Sequence, residues 1–189
     1  MFELQNDRTE LLEKIEDLYG RKRYAELRDL LLPMEAADIA SLCRDLDEKV
    51  PVVFRLLPKE LAAEVFVELD SDDQELLIHS FSNTELKEVL DELYLDDAAD
   101  IVEEMPAGVV KRILRHCDPE TRKSINELLK YPEDSAGSIM TTEFVDLKET
   151  MTVEDALKRI RRTGPDKETI NICYVIDDRR HLIGLLTIR

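Results

Sequence analysis

The chain contains no tryptophan, few glycines, few cysteines and no long apolar run, and each shortage removes a class of function. Gly20, Gly108, Gly137, Gly164 and Gly184 stand far apart, so no glycine-rich loop is available to cradle a phosphate. Cys43, Cys117 and Cys173 are odd in number and widely spaced. They argue against a disulfide framework and for free, buried thiols in a reducing compartment. His79, His116 and His181 each stand alone, with no second soft ligand at zinc spacing. His79, next to Ile78, reads as a structural histidine. No stretch of about 20 apolar residues exists to span a bilayer. Met1 to Lys14 mixes charges with leucines and reads as no signal peptide. Basic charge is scarce too, with 26 Lys and Arg against 43 Asp and Glu and a formal net charge of -17. Such a surface repels phosphate backbones, so no nucleic-acid partner is expected. It attracts cations, although acidic solubility alone would also explain it. No nucleophile and base stand in a recognisable arrangement, and no enzyme activity is expected.

What the sequence does contain is order. Residues 1 to about 32 carry two helical stripes, Leu11, Leu12, Ile15, Leu18 and then Tyr24, Leu27, Leu30, Leu31, broken at Gly20-Arg21. From Pro33 to about Leu129 an internal repeat follows. Starts at Asp47, Ser71, Leu95 and Asp118 lie 24, 24 and 23 residues apart. At matching offsets they give Val50, Val53, Phe54, Leu57; Gln74, Leu77, Ile78, Phe81; Ala98, Ile101, Val102, Met105; and Thr121, Ser124, Ile125, Leu128. A second series from Pro58, Ser82 and Pro106 gives Val65, Phe66, Leu69; Val89, Leu90, Leu93; and Ile113, Leu114, Cys117. Each unit is thus two short helices, opened by a Pro, Ser or Asp. Helices of about ten residues are marginal alone and must stack. The expected architecture is a mainly α superhelix of short antiparallel helices, right- or left-handed, with a globular helical bundle as the alternative.

Within the third unit, Tyr94 to Met105 holds the most chemically suggestive residues. Ala98, Ile101, Val102 and Met105 share one face, and Asp96 or Asp97 sits where a helix cap belongs. Asp100 follows Asp96 by one turn on the same flank, so both carboxylates can supply oxygens to one divalent cation. Without a cation they repel by roughly a few tenths of a kcal/mol. The plain alternative makes Asp96 a cap and Asp100 a solvated charge. An all-oxygen site suits Mg²⁺, a hard ion that keeps several waters, and disfavours Zn²⁺.

Tyr131 to Ser138, rich in Pro, Gly and small residues, ends the repeats. The reading therefore divides the chain into a helical domain, 1–130, and an α+β domain, 131–189. The second has the order β-α-β-β. A strand at Phe144-Leu147 is followed by a helix from Thr152 to Arg162, with Thr152 as N-cap and Asp155 as its capping-box partner. Gly164-Asp166 is a loop, Ile170-Ile176 a buried strand, Asp177-Arg180 a turn and Leu182-Ile188 a last strand.

Glu133-Asp134-Ser135-Ala136-Gly137-Ser138-Ile139-Met140-Thr141, followed by Met151-Thr152-Val153-Glu154-Asp155-Ala156-Leu157, resembles the entry into a CBS (cystathionine-β-synthase) domain. Tyr174 to Asp178 with Leu182 to Leu186 resembles that domain's closing hairpin. Acidic helical repeats placed directly before this junction are similar to the cytosolic part of an MgtE-family magnesium transporter. The resemblance implies a helical superhelix followed by the first, partial CBS domain (βαββ) of a tandem pair. It implies a homodimeric, multi-pass channel protein whose cytosolic part lies on the cytoplasmic side of the bacterial membrane and senses Mg²⁺. A second CBS domain, a plug helix and a membrane domain would be its partners, and none of them is within these 189 residues. Carried over by position, the family's metal-facing acids match Asp96 and Asp100, with Glu64 in Leu61-Ala62-Ala63-Glu64-Val65 as a third. Asp97 is read as a first-turn acid favoured by the helix dipole, and Glu103 and Glu104 as solvated face. Some members bind ATP between CBS repeats, and Arg189 aligns with a phosphate-facing arginine; no nucleotide site is assigned. A nucleotide-responsive CBS module and a helical-repeat scaffold for protein partners stand as alternative functions.

Overall fold

The computed structural model describes residues 2–132 and 135–188. The Glu133-Asp134 opening of the junction motif and Arg189 lie outside the described residues. The chain forms two compact units. One comprises residues up to Leu93 together with Asp100–Arg122, and the other Tyr94–Ala99 together with residues from Lys123 on.

The helical part opens with α1 (Phe2–Gly20) and α2 (Tyr24–Leu31), which pack on each other. The break between them does not use glycine. Lys22 takes the left-handed conformation at φ 56°, while Gly20 does not. Its N–H donates to the Tyr19 carbonyl, and the Arg23 N–H donates to that of Leu18, both at 2.9 Å. This is the Schellman closure that satisfies the last carbonyls of a helix.

The repeat follows as α3 (Ala36–Cys43), a 3₁₀ turn Asp47–Lys49 running into α4 (Val50–Phe54), α5 (Lys59–Val67), α6 (Ser71–Ser80) and α7 (Asn83–Leu90). It continues with α8 (Leu95–Glu104), α9 (Ala107–His116) and α10 (Pro119–Leu128). Elements two apart stack: α3 on α5, α5 on α7, α7 on α9, and α4 on α6. That order is what helices too short to stand alone require, because each buries its stripe against the equivalent helix of the next unit. The predicted stripes are the buried ones. Val53, Leu77, Val65 and Ile113 are fully buried, and Phe54, Phe66 and Phe81 form an aromatic cluster with ring centroids 5.4–6.4 Å apart. Gln74 interrupts its stripe with a buried amide, whose Nε2 donates to the Phe66 carbonyl at 2.9 Å, so burial leaves no orphan donor there. The structure also extends the second series upstream. Glu35 occupies the N-cap position of α3, without a side-chain capping bond, 23 residues before Pro58, and Leu42, Cys43 and Leu46 are buried where Val65, Phe66 and Leu69 are in the next unit.

In the second unit, β1 (Phe144–Lys148), α11 (Val153–Thr163), a 3₁₀ turn at Gly164–Asp166, β2 (Thr169–Ile176) and β3 (Leu182–Thr187) reproduce the β-α-β-β order. The sheet order is β1-β2-β3. β1 runs parallel to β2 with Val145 opposite Cys173, and β2 runs antiparallel to β3 with Tyr174 opposite Leu185. α11 makes the crossover that a parallel pair needs. Its Ala156 and Ile160 pack on Val145, Leu147 and Cys173. The Arg159 guanidinium ties it to β1 through the Asp146 carbonyl, at 2.7 Å, and the Asp146 carboxylate. Gly137 is required sterically, since a Cβ there would overlap the Tyr131 ring.

Three expectations need correction. Ile170–Ile176 is not a buried strand: Cys173 and Ile176 are buried, but Ile170 and Ile172 are exposed because only one face of the sheet carries a helix. Thr152 caps α11 by accepting the Asp155 N–H at 3.2 Å, yet Asp155 does not complete the box. Its carboxylate instead accepts from the Thr152 hydroxyl at 2.7 Å, being one methylene shorter than the usual Glu. His79 is exposed beside Glu75, not a core histidine. The three cysteines are buried and free.

Candidate metal centre

Asp96, Asp97 and Asp100 ride on α8. The helix buries Ala98, Ala99, Ile101 and Val102, and Met105 just after it is buried too; this fixes its rotation, leaving Asp100 exposed and Asp96 and Asp97 half-buried. Asp96 and Asp97 are not caps. The Tyr94 carbonyl accepts the first helical bond, from the Ala98 N–H at 2.9 Å, so both aspartates fall in the first turn. There they still favour the positive end of the helix dipole.

The cap comes from elsewhere. Glu143, just before β1, accepts the Leu95 N–H on Oε2 at 2.7 Å, within the second unit. Sequence reasoning missed Glu143, and no local signal could have found it, because 48 residues separate donor and acceptor. Burial raises the Glu143 carboxyl above its ordinary range. The Leu95 N–H and Lys167 pull it down, while Asp96 and Glu168 push it further up, and the net direction is upward. Asp96 and Glu143 therefore sense each other's charge. The Asp100 carboxyl is also raised, first by partial burial and then by Glu104 one turn on. In both cases crowding makes the ionised state costly, and a positive charge nearby would relieve it.

Glu64 stands exposed on α5, between buried Ala63 and Val65. Asp96 and Asp100 share one flank of α8 at i and i+4. Among the described residues, no group of three or more His, Cys, Asp or Glu gathers at metal-holding distance. The donor set nevertheless fits Mg²⁺, which binds through one or two carboxylates with water in its other positions. No described helix is long and apolar enough to cross a membrane.

Comparison with known proteins agrees with this organisation. A family model of the MgtE intracellular N domain matches residues 34–134, and one of the CBS domain matches 136–189. A magnesium transporter MgtE of Thermus thermophilus is 40% identical over 168 residues, 86% of this chain and 37% of its own length. A magnesium transporter MgtE of Bacillus subtilis is 25% identical over 181 residues, 95% of this chain and 40% of its own. The chain thus spans well under half the length of these relatives. Among solved structures, the cytosolic domain of the Mg²⁺ channel MgtE in complex with ATP superposes at a TM-score of 0.84 with 36% identity. That likeness covers 93% of this chain and 73% of the other. The soluble part of a magnesium transporter superposes at 0.80 with 26% identity, covering 95% and 72%. The chain belongs to the MgtE family, carrying its intracellular N domain with a CBS domain directly after it.

Proposed function

We propose that this chain is the magnesium-sensing cytosolic region of a bacterial Mg²⁺ transporter or channel, with no catalytic activity. Asp96 and Asp100 are the sensing carboxylates and Glu64 is a further ligand. The helical sensor ends near residue 130 and the CBS domain begins near 131. The observation that carries this reading is the pair of carboxylates one turn apart on α8, with the Asp100 carboxyl raised by burial and by Glu104.

A bound divalent cation supplies positive charge and takes oxygen ligands. Without that charge, Asp96 and Asp100 repel each other across one helical turn, and Asp96 adds to the field at Glu143. The acids therefore favour arrangements that separate them from other acidic surfaces. Neutralised, they tolerate a closed arrangement, and the population shifts by however much the cation prefers it. The partners are a second subunit, the rest of the CBS pair, a plug helix and a membrane domain. The place of action is the cytoplasmic face of the cell membrane. An exposed apolar strand, β3, supports the need for a partner: Leu182 and Leu185 are 60% and 61% exposed.

Thermal melting with millimolar Mg²⁺, with Ca²⁺ and with NaCl of equal ionic strength tests the proposal. Mg²⁺ should raise Tm beyond the NaCl control. Asp96→Asn with Asp100→Asn should stabilise the metal-free chain by a few tenths of a kcal/mol and flatten the Mg²⁺ response. A response matched by NaCl would overturn the sensing reading. The ATP complex of the similar cytosolic domain favours a second reading, nucleotide response through the CBS module. Titration calorimetry with ATP tests it, and absence of heat removes it for this chain.

A further inference from the structure

The helix pairs of the repeat are not equally filled. Four residues on from the N-cap positions of α3, α5, α7 and α9 stand Ile39, Ala62, Leu86 and Val110. Three of these are branched aliphatics, and Ile39 and Leu86 are fully buried. Ala62 is buried too, so a small side chain stands where the repeat elsewhere places a large one. The neighbours do not close the gap. A recess of about 250 Å³ borders Ala62, and the buried Phe54, Leu57, Phe81 and Val89 are its other apolar walls. An apolar cavity of only about 150 Å³ suffices to take up benzene.

The rest of the lining is charged, and its charges are matched within the chain. Arg55 pairs with Glu85 at 2.6 Å, and Lys59 pairs with Glu88 at 2.9 Å. Arg55 also donates to the Ser80 carbonyl at 2.9 Å, and Glu85 completes the capping box of α7. A charged ligand would have to split one of these pairs or bury its own charge beside Phe54 and Phe81, and both are costly. An uncharged apolar ligand leaves the pairs intact and gains burial against the walls. Two aromatic walls favour an aromatic guest over an aliphatic one of equal size, through offset or edge-to-face ring contacts.

We propose that the recess beside Ala62 is a binding site for a small, uncharged aromatic molecule of a single ring. Its occupant fills the space that Ala62 leaves and stabilises the helical unit by mass action. The inference goes beyond the sensing function and does not rest on it. Asp96 and Asp100 lie on α8, which contributes no wall to the recess.

The test is a titration of the 189-residue chain with toluene at pH 7, followed in ¹H–¹³C methyl spectra and by thermal melting. Benzoate and benzylammonium, the same ring carrying a negative or a positive charge, are the controls. Toluene should shift the methyls of Leu57, Ala62 and Val89 saturably, with a Kd in the millimolar range or below, and should raise Tm. The charged rings should bind about tenfold more weakly or worse. Ala62→Leu installs the side chain that the repeat uses in α7. It should raise the Tm of the ligand-free chain and abolish the toluene shifts. The methyl shifts of the unaltered chain decide occupancy even if that variant does not fold. No saturable shift at these methyls, equal binding of all three rings, or undiminished toluene binding by Ala62→Leu would overturn the proposal.

Discussion

The two units of this protein bury their apolar surface to different degrees. In the helical unit, the repeat closes on itself. Phe66, Leu77, Ile78 and Ile113 are at most 1% exposed, and α3, α5, α7 and α9 stack in turn, as do α4 and α6. In the sheet unit, three strands carry one helix on one face, and the outer strand β3 has Leu182, Ile183, Leu185 and Leu186 at 37–61% exposure. A stack of helix pairs needs only its neighbours, whereas a three-stranded sheet with an open edge and a bare face needs a cover. One region buries most of its apolar stripes within itself, and the other leaves an apolar strand exposed.

Core truncation gives the largest contrast. Phe66→Ala should cost about 3–5 kcal/mol in urea unfolding, whereas Leu185→Ala should stay within about 0.5 kcal/mol. Equal losses at the two positions would mean that β3 is already covered in solution. Helix caps come next. Ser82 and Glu85 form a complete capping box on α7, while Thr152 and Asp155 form only half of one on α11. Ser82→Ala should therefore cost about 1 kcal/mol, and Thr152→Ala less, measured by the same unfolding curves.

The smallest effect is the response to acid, which should differ in sign between Glu85 in the helical unit and Glu143 in the sheet unit. Arg55 donates to Glu85 at 2.6 Å, and Ser82 adds two more bonds, which hold the Glu85 carboxyl at about 2, below its ordinary 4.5. Its contribution is present above pH 4.5 and is lost as pH falls toward about 2. Glu143 in the sheet unit is raised by burial, so its contribution runs the other way: stability is lost as pH rises from the ordinary carboxylate value through the folded one. Melting from pH 2 to 7 should show Glu85→Gln weakening the acid-side loss and Glu143→Gln removing the opposing slope.

The candidate site divides along the same line. Asp96 and Asp100 are legible because i and i+4 on a helix with a clear apolar stripe must share a flank. Their setting is not legible. Asp96 looked like a cap, and the cap is Glu143. Ile170 and Ile172 looked buried because apolar strand residues usually are, yet among the described residues no layer covers them and both are exposed. Lys22 shows the same limit at a turn, taking a left-handed conformation two residues after a glycine that does not.

By itself, the amino-acid order determined the 24-residue period, the buried stripes, the alternation after residue 143 and the placement of two aspartates one turn apart. Those features are local: each residue's burial is set by its offset within a short helix or strand. Only the tertiary structure decided which carboxylate closes α8, which charges raise Asp100 and Glu143, and which strand remains uncovered. Such features depend on where distant segments of the chain return in space, and hydrophobic periodicity carries no record of that.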